Sequence, residues 1–107
     1  MKISVRDSFK RDFKKLAKKY NHITDDLEKL FESLNENPTQ GIPLGLDCFK
    51  VRMSISDKRK GKSGGARVIT CVKIIKDSIF LLAIYDKSEQ ATISKDELKD
   101  LVEQLDE

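Results

Sequence analysis

The sequence has 107 residues, enough for one hydrophobic core and too few for two. Charged side chains make up 36% and hydrophobic ones 38%, with no Trp; such a core is lean, yet the chain is too apolar to be disordered. The formal charge of +3 hides a striped distribution, with residues 1–20 at +6, 21–49 at −5, 50–76 at +8 and 77–107 at −6, so two basic surfaces can coexist with near neutrality.

In chain order, residues 2–5 read as a short opening strand, and Met1 to Arg6 lacks the apolar stretch of a secretory leader. From Asp7 the period changes. Phe9, Phe13, Leu16, Ala17 and Tyr20 form one helical stripe, opposite Lys10, Arg11, Lys14, Lys15, Lys18 and Lys19. His22 falls in the following turn, where a surface role is expected. A second helix starts with Thr24 as N-cap, has Asp25, Asp26 and Glu28 in its first turn, and carries the stripe Leu27, Leu30, Phe31 and Leu34. Two such helices joined by a few residues are expected to pack as an antiparallel hairpin. Asn37-Pro38 ends it, and the stretch to Asp47 reads as a connector.

Strand signals then resume. Phe49, Val51, Met53 and Ile55 alternate with Lys50, Arg52 and Ser54. Residues 56–65 have no apolar side chain but hold Lys58, Arg59, Lys60 and Lys62, a long basic loop. A strand from Ala66 to Ile75, a turn at Lys76-Asp77-Ser78 and a strand from Ile79 to Tyr85 follow. The last of these is the longest apolar run, far short of the roughly 20 residues of a membrane span. Ser94-Lys95-Asp96-Glu97 is a capping box, opening a helix with Leu98, Leu101, Val102 and Leu105 on its buried side. The expected fold is α+β in the order β-α-α-β-β-β-α. An antiparallel sheet packs against an N-terminal helical hairpin and a C-terminal helix, as a single domain over residues 1–107.

Several chemistries are poorly supplied. Cys48, Cys71 and His22 are three soft ligands where a structural zinc site takes about four; the cysteines are expected to be reduced and packed, with one disulfide as the alternative. Gly61-Lys62-Ser63 imitates the end of a phosphate-binding loop, but Ser56 stands at the required glycine and a strand follows instead of a helix. One histidine supports no nucleophilic triad, and Asp86 and Glu89 look more like partners of Lys87 than an acid–base pair. The informative constellation is cationic. Lys50 and Arg52 share a strand face, Arg67 follows the basic loop on the next strand, and Lys87 follows Tyr85-Asp86 at the end of the third. In a meander these positions meet, as a surface for a phosphodiester backbone or as a solvated sheet face.

These residues carry a resemblance. The run GKSGGARVI (Gly61 to Ile69), the strand ending Ile84-Tyr85-Asp86-Lys87-Ser88-Glu89 and the closing helix from Ser94 to Leu105 resemble the RelE/ParE toxin superfamily, in particular the HigB-like branch of RelE-type toxins. The resemblance covers nearly the whole chain and implies a cytoplasmic toxin of a toxin–antitoxin system. Such a toxin is held by a cognate antitoxin protein and cuts translated mRNA on the ribosome, with rRNA contacts and without metal, cofactor or membrane. Carried over, it implies that Arg67 contacts the scissile phosphate, that Lys50 or Lys87 serves in proton transfer, and that Arg52, Lys58, Arg59, Lys60 and Lys62 bind RNA. Some members place an essential tyrosine near the last helix, where Ile93 and Ser94 stand here; Tyr85 replaces it only if its hydroxyl faces the site. The alternatives are a ParE-like toxin that poisons DNA gyrase and an inactive RNA-binding relative.

Overall fold

The computed structural model describes residues 1–59 and 64–106. The elements run β1 (Lys2–Val5), α1 (Asp7–Lys19), α2 (Ile23–Glu36), β2 (Ile42–Gly45), β3 (Cys48–Met53), β4 (Ala66–Lys73), β5 (Ser78–Asp86) and α3 (Lys95–Glu103), with 3-10 turns at Ser56–Lys58 and Gln104–Asp106. The strands form one sheet in the order β1-β5-β4-β3-β2.

Four features depart from the expectation. The sheet is mixed, because β1 lies parallel to β5, Lys2 beside Ser78 and Val5 beside Leu81. The connector contains β2, which pairs with β3 at Ile42–Lys50 and Pro43–Phe49. It is an edge strand, where a proline without an N–H is tolerated. Thirdly, α2 begins at Ile23, with His22 rather than Thr24 in the cap position and no side-chain cap bond. Ile23 is 1% exposed, so burial pulls it into the helix as the first residue of the apolar stripe. β4 also ends early, at Lys73, leaving Ile74 and Ile75 exposed in the turn before β5.

The helices divide between the two faces of the sheet. Phe9 and Leu16 of α1, Tyr20 just past its end, and Ile23, Leu30 and Leu34 of α2 share one core with Val51, Met53, Val68, Leu81 and Ile84. On the opposite face, Leu98 of α3 and Leu105 just beyond it pack with Cys48, Ile69, Cys71, Leu82, Ala83 and Tyr85. α3 is fastened at its start as its capping box requires, the Ser94 hydroxyl accepting from the Glu97 N–H at 3.1 Å. Cys48 and Cys71 are cross-strand partners on this face, buried and reduced. Hydrogen bonding with Cys71 and burial both push the Cys48 thiol pKa upward, which keeps it protonated and inert.

Candidate nucleic-acid interface

Register assembles the site. Arg52 on β3 lies opposite Arg67 on β4, and Arg67 lies opposite Tyr85 on β5. Directly opposed side chains are separated by about 5 Å at Cβ, so two guanidinium side chains and a phenol form a row across the sheet.

Tyr85 belongs to this row because of a bulge. Ile69 pairs with Ala83, but Thr70 pairs with Leu81, leaving Leu82 as an extra residue in β5. Ile79 and Leu81 face the helical hairpin; beyond the bulge Ile84 takes that face, while Leu82, Ala83 and Tyr85 face α3. With strict alternation Tyr85 would point to the hairpin, away from Arg67.

The row sets two like charges opposite each other. Arg67 is only 5% exposed; its Nη1 donates to the Ala66 carbonyl at 3.1 Å. Burial first, then the neighbouring Arg52 charge, lower its pKa. Like charges directly opposed on a sheet are destabilising, and such arrangements are retained where function needs them. The Tyr85 hydroxyl is buried and has no hydrogen-bond partner among the described residues. Burial raises its pKa against the opposing pull of Thr92, which lies nearby but outside hydrogen-bonding geometry, and of Arg67. Lys50, two residues before Arg52 on the same strand face, lines a shallow cleft of about 240 Å³ with Arg52 and Gln40. Lys87 is exposed just past β5, and its backbone N–H donates to Gly65 O at 3.1 Å, closing β5 onto the start of β4. On the far side of Tyr85 lies a cleft of about 300 Å³ in which Asp12, Glu97 and Asp100 outnumber Arg11. Burial raises the Asp12 pKa against the opposing pull of Arg11, an Ile84 backbone hydrogen bond and Lys15, with Glu97 adding a smaller push upward.

The structure therefore gathers Arg67, Arg52 and Tyr85 on one sheet face, with Lys50 beside them and Lys87 at the end of β5. Lys58 is elsewhere: its side chain is 12% exposed and its Nζ meets Asp86 Oδ1 at 2.5 Å. Arg59 is exposed at the following residue, in a left-handed conformation with φ of 56°. Lys60 and Lys62 lie outside the described residues.

Sequence reasoning missed the partners of the acidic groups. Asp86 accepts from Tyr20 as well as Lys58, and Glu89 reaches Lys19 at 3.2 Å. His22 is tied to Asp57, Nδ1 to Oδ1 at 2.7 Å and backbone N to Oδ2 at 3.0 Å. The available signals were slight: an aspartate ending the most apolar strand, and a tyrosine ending an apolar helix stripe. Among the described residues no group of three or more His, Cys, Asp and Glu is placed to hold a metal ion, and no helix is long and apolar enough to cross a membrane.

The fold is one already seen in a bacterial toxin. An arginine-to-alanine double variant of E. coli toxin RelE, in its free state, matches with a TM-score of 0.59 over 84% of this chain and 86% of that chain, at 18% identity. The family described as "RelE toxin of RelE / RelB toxin-antitoxin system" matches residues 5–105. The chain belongs to this RelE toxin family and is a toxin of a toxin–antitoxin system, which implies an antitoxin partner. No curated protein matches the sequence.

Proposed function

We propose that this toxin is a ribosome-dependent endoribonuclease of the cytoplasm that cleaves translated mRNA without a metal ion. The observation that carries the reading is the Arg52–Arg67–Tyr85 row, two opposed cations beside a phenol whose buried hydroxyl is unpartnered. The pair is complementary to a phosphodiester, whose equatorial oxygens gain charge as the RNA 2′-hydroxyl attacks the adjacent phosphorus.

In this reaction the 2′-oxygen–phosphorus bond forms as the bond to the 5′-oxygen breaks, leaving a 2′,3′-cyclic phosphate and a 5′-hydroxyl. Arg67 and Arg52 stabilise the phosphorane. Lys50 takes up the 2′-proton, Lys87 supplies one to the leaving oxygen, and the Tyr85 hydroxyl, kept protonated, donates a hydrogen bond to the phosphate; each proton transfer typically contributes about 10²- to 10⁴-fold. Arg59, with Lys60 and Lys62, binds flanking phosphates. The nucleophile belongs to the substrate, so alignment is the main requirement. The side chains here include no strong base, which leaves that alignment to the ribosome.

The test is induction of the toxin and its Arg67→Ala variant in bacterial cells, following translation and mapping mRNA 5′ ends. The expected outcome is translation arrest with codon-phased cuts, both abolished by the substitution. Arrest of replication with intact mRNA would favour gyrase poisoning. Equal cleavage of naked and ribosome-bound message would overturn the ribosome dependence.

A further inference from the structure

We infer that Asp86 and Lys58 form a positioning pair, in which Lys58 staples the basic loop between β3 and β4 instead of contacting RNA. The inference deepens the reading of the arginine row as an RNA site and rests on it for its consequence, though not for its geometry.

Asp86, the last residue of β5, is 1% exposed. Its Oδ1 accepts from Lys58 Nζ at 2.5 Å, from the Ser88 N–H at 2.9 Å and from the Ser88 hydroxyl at 2.7 Å; its Oδ2 accepts from the Tyr20 hydroxyl at 2.6 Å. One carboxylate thus joins the end of α1, the stem of the basic loop and the link from β5 toward α3. Burial pushes its pKa up, but Lys58, Tyr20 and Ser88 together outweigh that and hold it below the usual carboxylate range.

Lys58 in turn closes the loop on itself. Besides Asp86 it donates to the Gly64 carbonyl at 3.2 Å and to the Ser88 hydroxyl at 3.4 Å. A lysine ammonium has three protons to give, and three partners are present. None is left for a phosphate oxygen. The same Nζ lies 5.8 Å from the Tyr20 ring centre, on the hairpin side of the sheet, opposite the arginine row.

The neighbouring stem residues are fastened as well. Ser56 donates its N–H and hydroxyl to Asp26 Oδ2 at 3.0 and 3.2 Å, and Asp57 holds His22. At the other end of the loop, a Cβ on Gly65 would come within 2.2 Å of Met53 O, so that strand crossing admits only glycine. Arg59 leaves the stem immediately after Lys58, and Arg67 follows Gly65 by two residues. Three consecutive fastened residues on one side and a locked glycine on the other set where Arg59 stands relative to Arg52 and Arg67.

The test uses the full chain, its Lys58→Gln, Asp86→Asn and Tyr20→Phe variants, and the Lys58→Gln/Asp86→Asn double variant. The probe is a 2′-O-methylated single-stranded oligoribonucleotide, which binds without being cut. A staple predicts that Lys58→Gln and Asp86→Asn each weaken binding by about tenfold, and that the double variant is no weaker than either. A direct RNA ligand predicts the reverse for Asp86→Asn, which releases the ammonium and leaves binding equal or tighter; that result overturns the proposal. Tyr20→Phe, which removes one bond to Asp86 and no charge, gives a partial loss and serves if Asp86→Asn does not fold. Independently of RNA, Lys58→Gln should speed tryptic cutting after Arg59 by about tenfold with the melting transition still present. Unchanged cutting sinks the staple. If wild type binds no RNA, the function proposed above fails instead, and the tryptic rate alone decides the staple.

Discussion

Arg52 and Arg67 oppose each other across a ladder that would be more stable with one of them neutral. Replacing exposed Arg52 with Gln should therefore leave the melting temperature equal or slightly higher at low salt, by a few tenths of a kcal/mol, while weakening RNA binding. A clear fall in melting temperature would show that the pair is structural. His22 offers a second check. Its bond to Asp57 raises the imidazole pKa above the ordinary 6.5, and the same contact lowers that of Asp57. The histidine contribution to stability is present in full below its unfolded pKa and lost as pH rises through the folded value. That of Asp57 is present above the carboxylate range and lost in acid. Proton NMR titration of the ring should report a value above 6.5 that returns to about 6.5 in Asp57→Asn; equal titration in both proteins would dismiss the pair. Positions such as Arg67 and Lys50 were legible because strand alternation and a basic loop identify a cationic face. The Asp86–Lys58 pair was not, because a charge buried at the end of an apolar strand is explained only by partners 28 and 66 residues away.

At the level of elements, hydrophobic period identified α1, α2, α3 and the β3–β5 meander, and the Ser94 cap was read from its box. Removing that cap with Ser94→Ala should cost about 1 kcal/mol, a drop of several degrees in melting temperature for a domain of this size. The site-bearing face should loosen first, since Leu98 and Leu105 cover it; hydrogen exchange confined to other segments would contradict this. What escaped the sequence were pairings. β2 has no apolar alternation, with Ile42, Pro43 and Gly45 exposed, and exists as a strand only because β3 presents an edge. The direction of β1 depends on a strand far along the chain, and the Leu82 bulge is visible only through register. That bulge turns Tyr85 toward Arg67.

For the molecule as a whole, the striped charge resolves into a basic row bounded by the acidic Asp12–Glu97–Asp100 cleft, with the α1 lysines exposed elsewhere. If Lys50, Arg52, Arg67 and Lys87 make the phosphate contacts, log affinity for single-stranded RNA should fall with log salt with a slope of about −3. Lys14→Gln/Lys15→Gln should leave that slope unchanged, whereas a shallower slope would draw α1 into the interface. The parallel pairing of β1 with β5 has a consequence in time. Lys2 finds its neighbour Ser78 across 76 residues of chain, and Arg67 meets Tyr85 only when the same late strand arrives. Contacts this distant form slowly and last. A nascent chain leaving the exit tunnel thus carries its first strand unpaired and its arginine row without Tyr85 until synthesis has passed β5.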